Sequence, residues 1–220
     1  MTDLEDVRRL AAEVDTTALC DVDKQARVMS PALRRRSANP VICGPAVTVR
    51  CRDDLLGVIL AIERAGPGEV VVVDGGGREP ALAGELFARA ALAKGLGGLV
   101  VDGGYRDLRF VSGCDLPIYS RHVHPVAAPA VRPVPVGEPV SCGGVRVDPG
   151  DIVIADHDGV VVLDPASAID RLTAAREVMA AEGRVVDRLA AGATIGECVD
   201  LVGHLDRLAR GEPSALRFPE

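Results

Sequence analysis

The spacing of hydrophobic residues changes three times along this chain, and each change marks a new part of the fold. Leu4, Val7, Leu10, Ala11 and Val14 return every three or four positions, so residues 2–14 read as an amphipathic helix. Asp15-Thr16-Thr17 offers a cap for a second short helix through Cys20. Residues 30–45, with Pro31, three arginines, Pro40 and Gly44-Pro45, read as loop. Ala46 to Cys51 reads as a strand, and Asp53-Asp54 caps a helix through Glu63 that Gly66-Pro67-Gly68 stops.

The first change comes at Val70 to Val73, an unbroken β-branched run of the kind buried on both faces of a parallel sheet. Asp74-Gly75-Gly76-Gly77 ends it, and Pro80 suits the first turn of a helix running to about Lys94. Leu99 to Val101 is the next strand, followed by Asp102-Gly103-Gly104, a short helix from about Arg106 to Ser112, and a strand at Pro117 to Tyr119. This β-α-β-α-β order predicts a parallel unit. The segment Val72 to Glu79 is echoed 28 residues later by Val100 to Asp107, one strand-helix step. Two such strands in register place both Asp-Gly-Gly ends at one sheet edge, roughly 5–10 Å apart. In open α/β sheets that carboxyl edge is where ligands bind.

The second change comes at Val131. Short strands are predicted at 134–136, 139–142, 145–147, 152–155 and 160–163, with Asp158-Gly159 as a hairpin turn. The third is a return to helical spacing from about Ala166 to Ala191, capped by Gly192, with a helical tail over 195–210 and a frayed end from Pro213. The fold class is therefore α/β: a central parallel βαβ core, then short antiparallel strands, then a long C-terminal helix.

Composition narrows the function. At 220 residues and 48% hydrophobic, one compact domain with a real core is comfortable. With no Trp, three Phe and two Tyr, that core is aliphatic, which argues against a platform that stacks nucleic-acid bases. A net charge of −7 argues against a broad phosphate-binding face but leaves room for a local basic pocket. No apolar run of membrane-spanning length occurs, and the charged Met1 to Leu10 stretch is unlike a secretory leader. Six cysteines stand singly, without a CxxC pair, as expected of reduced thiols in a cytoplasmic protein.

Candidate chemistry gathers around the second Asp-Gly-Gly turn. A dinucleotide fingerprint starting at Gly75 is broken by Pro80, and no Walker motif exists. Arg106-Asp107 pairs a guanidinium fork that grips a carboxylate with a carboxylate that can ligate a hard cation. Together they would hold a 2-oxo acid; the same pair also fits a capped turn with a surface ion pair. Glu85, 21 residues before Arg106 and early in a helix, sits where the dipole and free N–H groups favour anions, or is an ordinary exposed glutamate. His122 and His124 share a strand face without a third zinc ligand nearby, and turn chemistry explains Asp156-His157-Asp158. Lys94 reads as a helix-end cation.

Five short motifs in order carry a resemblance: Gly84-Glu85-Leu86; Gly97 to Gly103 with Arg106-Asp107; Gly143-Gly144-Val145; Pro149-Gly150-Asp151; and Ala155 to Val161. This set resembles the RraA-like family, which holds class II 4-hydroxy-4-methyl-2-oxoglutarate/4-carboxy-4-hydroxy-2-oxoadipate aldolases and regulators of ribonuclease E activity. The resemblance implies one α/β domain over residues 1–220, with its core at about 15–192 and a helical tail at 193–220. It implies a homotrimer or dimer of trimers with sites between subunits. It also implies a metal ligand at Asp107, for Mg²⁺ or Mn²⁺, and catalytic roles for Arg106 and Glu85. Gly84, Glu85, Leu86, Phe87 and Arg106 would bind a small 2-oxo acid, and Glu85 replaces an aspartate of the family motif with one more methylene. Asp21 and Glu182 are the candidates for carboxylates supplied by a neighbouring subunit. The implied activity is C–C cleavage to pyruvate with oxaloacetate decarboxylation. The alternatives are a protein-binding regulator without chemistry and an enzyme acting on another 2-oxo or acyl substrate.

Overall fold

The computed structural model describes residues 3–215. The chain opens with α1 (Leu4–Ala11), α2 (Thr16–Val22), β1 (Arg27–Val28) and β2 (Arg34–Arg35). The centre is β3 (Ile42–Arg50), α3 (Leu56–Arg64), β4 (Val70–Ala83), α4 (Glu85–Ala93), β5 (Gly98–Tyr105), α5 (Leu108–Val111) and β6 (Ile118–Val123). It continues through β7 (Val140–Cys142), β8 (Val145–Val147), β9 (Ile152–Ala155) and β10 (Val160–Leu163) to α6 (Ala168–Ala190) and α7 (Leu201–Ala209). Eight strands form one sheet in the order β1-β10-β9-β3-β4-β5-β6-β2, and β7 pairs with β8 as a separate ribbon. β3 through β6 run parallel, as the alternation of valine runs and helices predicts. The outer pairings are antiparallel, including the β9–β10 hairpin in which Ala155 faces Val160.

The valine runs are uninterrupted because both sheet faces are covered. Val71, Val73, Leu99 and Val101 pack against Val58, Ala61 and Ile62 of α3 and Ala88 and Ala91 of α4. On the other face Val70, Val72, Val100 and Tyr119 meet Met29, Val140, Cys142 and Val147. A third cluster seats Val7, Leu10, Leu19 and Leu172 on Ile152, Ile154 and Val161, which docks α1, α2 and α6.

The helix expected from Pro80 is a correction. β4 runs on to Ala83 and α4 begins only at Glu85. Beyond Val73 the strand keeps pairing with β5 in a stepped register, Arg78 with Gly103, Ala81 with Gly104 and Ala83 with Tyr105. Gly76 and Gly77, at φ 65° and 71°, supply the bends. Ala81 also pairs on its other side, donating to the Val126 carbonyl at 2.8 Å. The predicted strand at 134–136 reduces to one bridge between Val136 and Val49, and the loop expected at 30–45 contains β2 and the start of β3. The outermost residues of two expectations, Thr2 of the first helix and 216–220 of the frayed end, lie outside the described residues.

Candidate active site

β5 delivers Arg106 and Asp107 to the carboxyl edge of the sheet. Asp107 then takes a left-handed conformation, φ 63° and ψ 39°, which is uncommon for a residue with a side chain. The turn aims its carboxylate back at α4. Asp107 Oδ2 accepts the Glu85 backbone N–H at 3.0 Å and lies 3.6 Å from Arg106 Nε. Gly84 makes this approach possible, since a Cβ there would lie 2.4 Å from Asp107 Oδ2 and 2.9 Å from Arg106 Cγ. The Arg106 N–H donates to the Ala83 carbonyl at 3.1 Å, and the Tyr105 hydroxyl donates to the Gly84 carbonyl at 3.2 Å. Burial, then Cys114 and Asp107, pushes the Tyr105 hydroxyl far above the usual tyrosine value, so it serves as a fixed donor.

Glu85 is the first residue of α4, and the N–H groups of Leu86 and Phe87 find no acceptor among the described residues. They form the positive end of the helix, open beside the Arg106 guanidinium. Arg106 and Asp107 side chains are both 40% exposed, so a solute can reach them. Glu85 Oε1 accepts from Arg89 Nε at 2.8 Å, and Arg89 lies over the Phe110 ring at 4.1 Å. Next to this cluster, Ile59, Ile62, Leu86, Phe87 and Ala90 line an apolar hollow of about 320 Å³.

No group of three or more His, Cys, Asp or Glu gathers among the described residues. Asp107 Oδ1 and Glu85 Oε2 have no hydrogen-bond partner among the described residues. Few oxygen donors with open neighbouring space fit Mg²⁺ or Mn²⁺, since Mg²⁺ keeps several waters.

The structure therefore brings together Gly84, Glu85, Leu86, Phe87, Arg106 and Asp107. It does not bring Asp21 or Glu182 to them. Asp21 is exposed on α2 and paired with Lys24, Glu182 is half-buried on α6, and no hydrogen bond or ion pair joins either to the cluster. His122 Nε2 lies 2.9 Å from the Gly77 carbonyl, and His124 turns to Val126. Lys94 caps carbonyls Ile62 and Glu63 at the end of α3. Asp74 and Asp102 are both buried. Asp74 faces Arg50 and Arg52, while Asp102 takes Arg121 and the Gly143 N–H, which ties down the β7–β8 ribbon. Two contributors escaped the sequence reading. Arg89 was findable from its i,i+4 spacing to Glu85, whereas nothing in the sequence marks Tyr105 as the clasp on Gly84.

The family model described as RraA-like, Aldolase/RraA, matches residues 16–162. A relative from Halalkalibacterium halodurans, named "Putative 4-hydroxy-4-methyl-2-oxoglutarate aldolase", is 34% identical over 152 residues, covering 68% of this chain and 72% of the relative. The solved structure of the RNA-processing inhibitor RraA from Thermus thermophilis superposes with a TM-score of 0.63 at 30% identity, over 67% of this chain and 91% of that one. Streptomyces coelicolor RraAS2, described as an unusual member of the RNase ES inhibitor RraA family, gives 0.72 at 28% identity, over 86% and 100%.

Proposed function

Because the chain belongs to the RraA-like family, we propose that it is a divalent-metal-dependent class II pyruvate aldolase that also decarboxylates oxaloacetate. Its substrates would be 2-oxo acids of the 4-hydroxy-4-methyl-2-oxoglutarate type. The observation that carries this reading is the left-handed turn at Asp107, which sets a carboxylate, a guanidinium and a helix N-terminus around one exposed space. Nearby nonpolar contact from Leu86 and Phe87 would shield the reacting end from water.

In this reading the substrate's 1-carboxylate takes the free N–H groups of Leu86 and Phe87, and Arg106 donates to its keto oxygen. Asp107 Oδ1 would hold Mg²⁺ or Mn²⁺. Bound there, the cation supplies Lewis-acid polarisation of the 2-oxo group. In retro-aldol cleavage Glu85 Oε2 takes the proton of the 4-hydroxyl, directly or through a water. The C3–C4 bond then breaks and its electron pair moves into the pyruvate enolate, whose oxygen Arg106 stabilises. Return of a proton to C3 releases pyruvate. Oxaloacetate reaches the same enolate by losing CO₂ from C4. Arg89 is the positioning residue that fixes Glu85. Asp21 and Glu182 would approach from a neighbouring subunit of a homotrimer or dimer of trimers.

The similarity to two RraA structures favours one second reading, a protein-binding regulator without chemistry. One assay separates them. Pyruvate release from oxaloacetate above the spontaneous rate, restored by Mg²⁺ or Mn²⁺ after EDTA, is expected of the aldolase. Release at the spontaneous rate under every metal condition is expected of the regulator.

A further inference from the structure

A second cavity, of about 320 Å³, lies off the end of β3 and is lined by Arg50, Arg52, Arg132, Val134, Pro135 and Glu138 among others. We propose that this three-arginine cavity binds a small dianion carrying carboxylate or phosphate groups, at a site separate from the Arg106 cluster. Three arginines around one hollow stand out in a chain with 25 basic and 32 acidic residues. Their internal partners do not saturate them. Arg50 Nε and an Arg52 terminal nitrogen share one oxygen of buried Asp74, at 3.2 and 3.4 Å. Both distances are long for charge-assisted bonds, which fall near 2.7–2.9 Å. A further Arg50 nitrogen reaches the Pro139 carbonyl at 3.5 Å. The Arg132 guanidinium makes no hydrogen bond or ion pair among the described residues, although its main chain is pinned.

That pinning makes the cavity a built feature. Asp54 Oδ2 accepts the N–H groups of Val131 and Arg132, both at 2.9 Å. Further along, the Gly137 N–H donates to the Thr48 carbonyl at 2.8 Å, and the Thr48 hydroxyl donates to the Glu138 carbonyl at 2.6 Å. The wall carrying Arg132 and Glu138 is thus fixed to β3 and to the start of α3. Arg50 and Arg52 face it, more than half exposed. Beside the three guanidinium charges stand Asp74, buried with its other oxygen on the Gly76 N–H, and Glu138, exposed at the rim. Asp54 is also buried, which raises its pKa, but the Val131, Leu56 and Arg132 N–H groups and the Arg132 charge hold it below its usual value. Both inner carboxylates are buried, whereas the guanidinium forks of Arg50 and Arg52 are more than half exposed, and planar forks suit carboxylate and phosphate oxygens. The volume is at the small end of ligand sites, which fits a metabolite-sized anion.

Titration calorimetry of the full-length chain with succinate and with inorganic phosphate, against chloride at matched ionic strength, tests this directly. Saturable binding of at least one dianion is expected, and the tighter of the two identifies the ligand as carboxylic or phosphoryl. Arg132→Gln should weaken it about tenfold or more, the effect of losing one charge-assisted bond. Because this guanidinium makes no hydrogen bond or salt bridge among the described residues, the melting temperature should shift little. Glu138→Gln should tighten binding by removing the rim carboxylate. Arg106→Gln should leave the Arg132-dependent part of the heat unchanged. No saturable binding of either dianion would overturn the proposal, as would binding that survives Arg132→Gln or is lost in Arg106→Gln. The readout is independent of pyruvate release, so the aldolase reading stands or falls separately.

Discussion

At the scale of single residues the proposed chemistry depends on how Arg106 and Asp107 are held. Arg106 Nε leans on Asp107 and its N–H on Ala83, so the fork is aimed by backbone bonds and not only by its own length. Arg106→Lys keeps the charge and loses the fork. In the enolate-stabilising role this costs about 2–4 kcal/mol, roughly 30- to 1000-fold in kcat/KM for oxaloacetate. Metal affinity should stay nearly intact because Asp107 remains. A drop in melting temperature with kcat/KM within about threefold would instead mark Arg106 as a brace of the turn. Gly84→Ala probes the same geometry from the other side. Its Cβ would collide with Asp107 Oδ2, so kcat/KM should fall by an order of magnitude or more, about the cost of misplacing reacting groups. The residue types and the 21-residue spacing of Glu85 and Arg106 were legible in the sequence. The left-handed turn at Asp107 was not, because aspartate adopts it only where a partner such as the Glu85 N–H rewards it.

At the scale of elements, sequence and structure part company where periodicity is missing. The runs Val70 to Val73, Leu99 to Val101 and Val160 to Leu163 are strands because each is buried throughout, and a continuous run of β-branched and aliphatic residues announces that. The stretch from Gly75 to Ala83 has no period, only glycines and Pro80. Its course is set by long-range pairing with β5 and with Val126 and Ala128, which local signals do not carry. The shift matters for function, since it makes Glu85 the first residue of α4 and not a residue of its second turn. The β9–β10 hairpin shows the opposite case. Asp156 reaches out of its turn to accept the Thr16 N–H and hydroxyl, both at 2.7 Å, at the start of α2. Burial raises the Asp156 pKa, but the Thr16 bonds and the Asp158 and Gly159 N–H groups outweigh it, and the carboxyl sits below its usual value. A depressed folded pKa means stabilisation present above the unfolded pKa and lost as pH falls through the folded one. Asp156→Ala should therefore cost about 0.5–2 kcal/mol in urea unfolding at neutral pH, with the deficit shrinking below about pH 4. An equal deficit at pH 7 and pH 3 would contradict the capping role.

At the scale of the whole molecule, the carboxyl edge of β3, β4 and β5 gathers both the candidate active site and the three-arginine cavity. Beyond the part of α6 that packs on the sheet, Val186 of α6 and Val202, Leu205 and Leu208 of α7 are at least half exposed. No helix among the described residues is long and apolar enough to cross a membrane. Asp21 and Glu182 stand apart from the Arg106 cluster within one chain, so a role for either requires a second copy. Light scattering at micromolar concentration should give a trimer or a multiple of it, and an active monomer would remove both residues from the site. The proposed pyruvate-forming lyase depends on Asp107 as its metal ligand. The most direct test is pyruvate release from oxaloacetate as Mg²⁺ is titrated into EDTA-stripped wild type and Asp107→Ala. Saturable activation of the wild type and only the spontaneous rate for Asp107→Ala are expected, with both proteins equally folded. A variant that matches wild type while still requiring metal, or a wild type indifferent to EDTA, would contradict it.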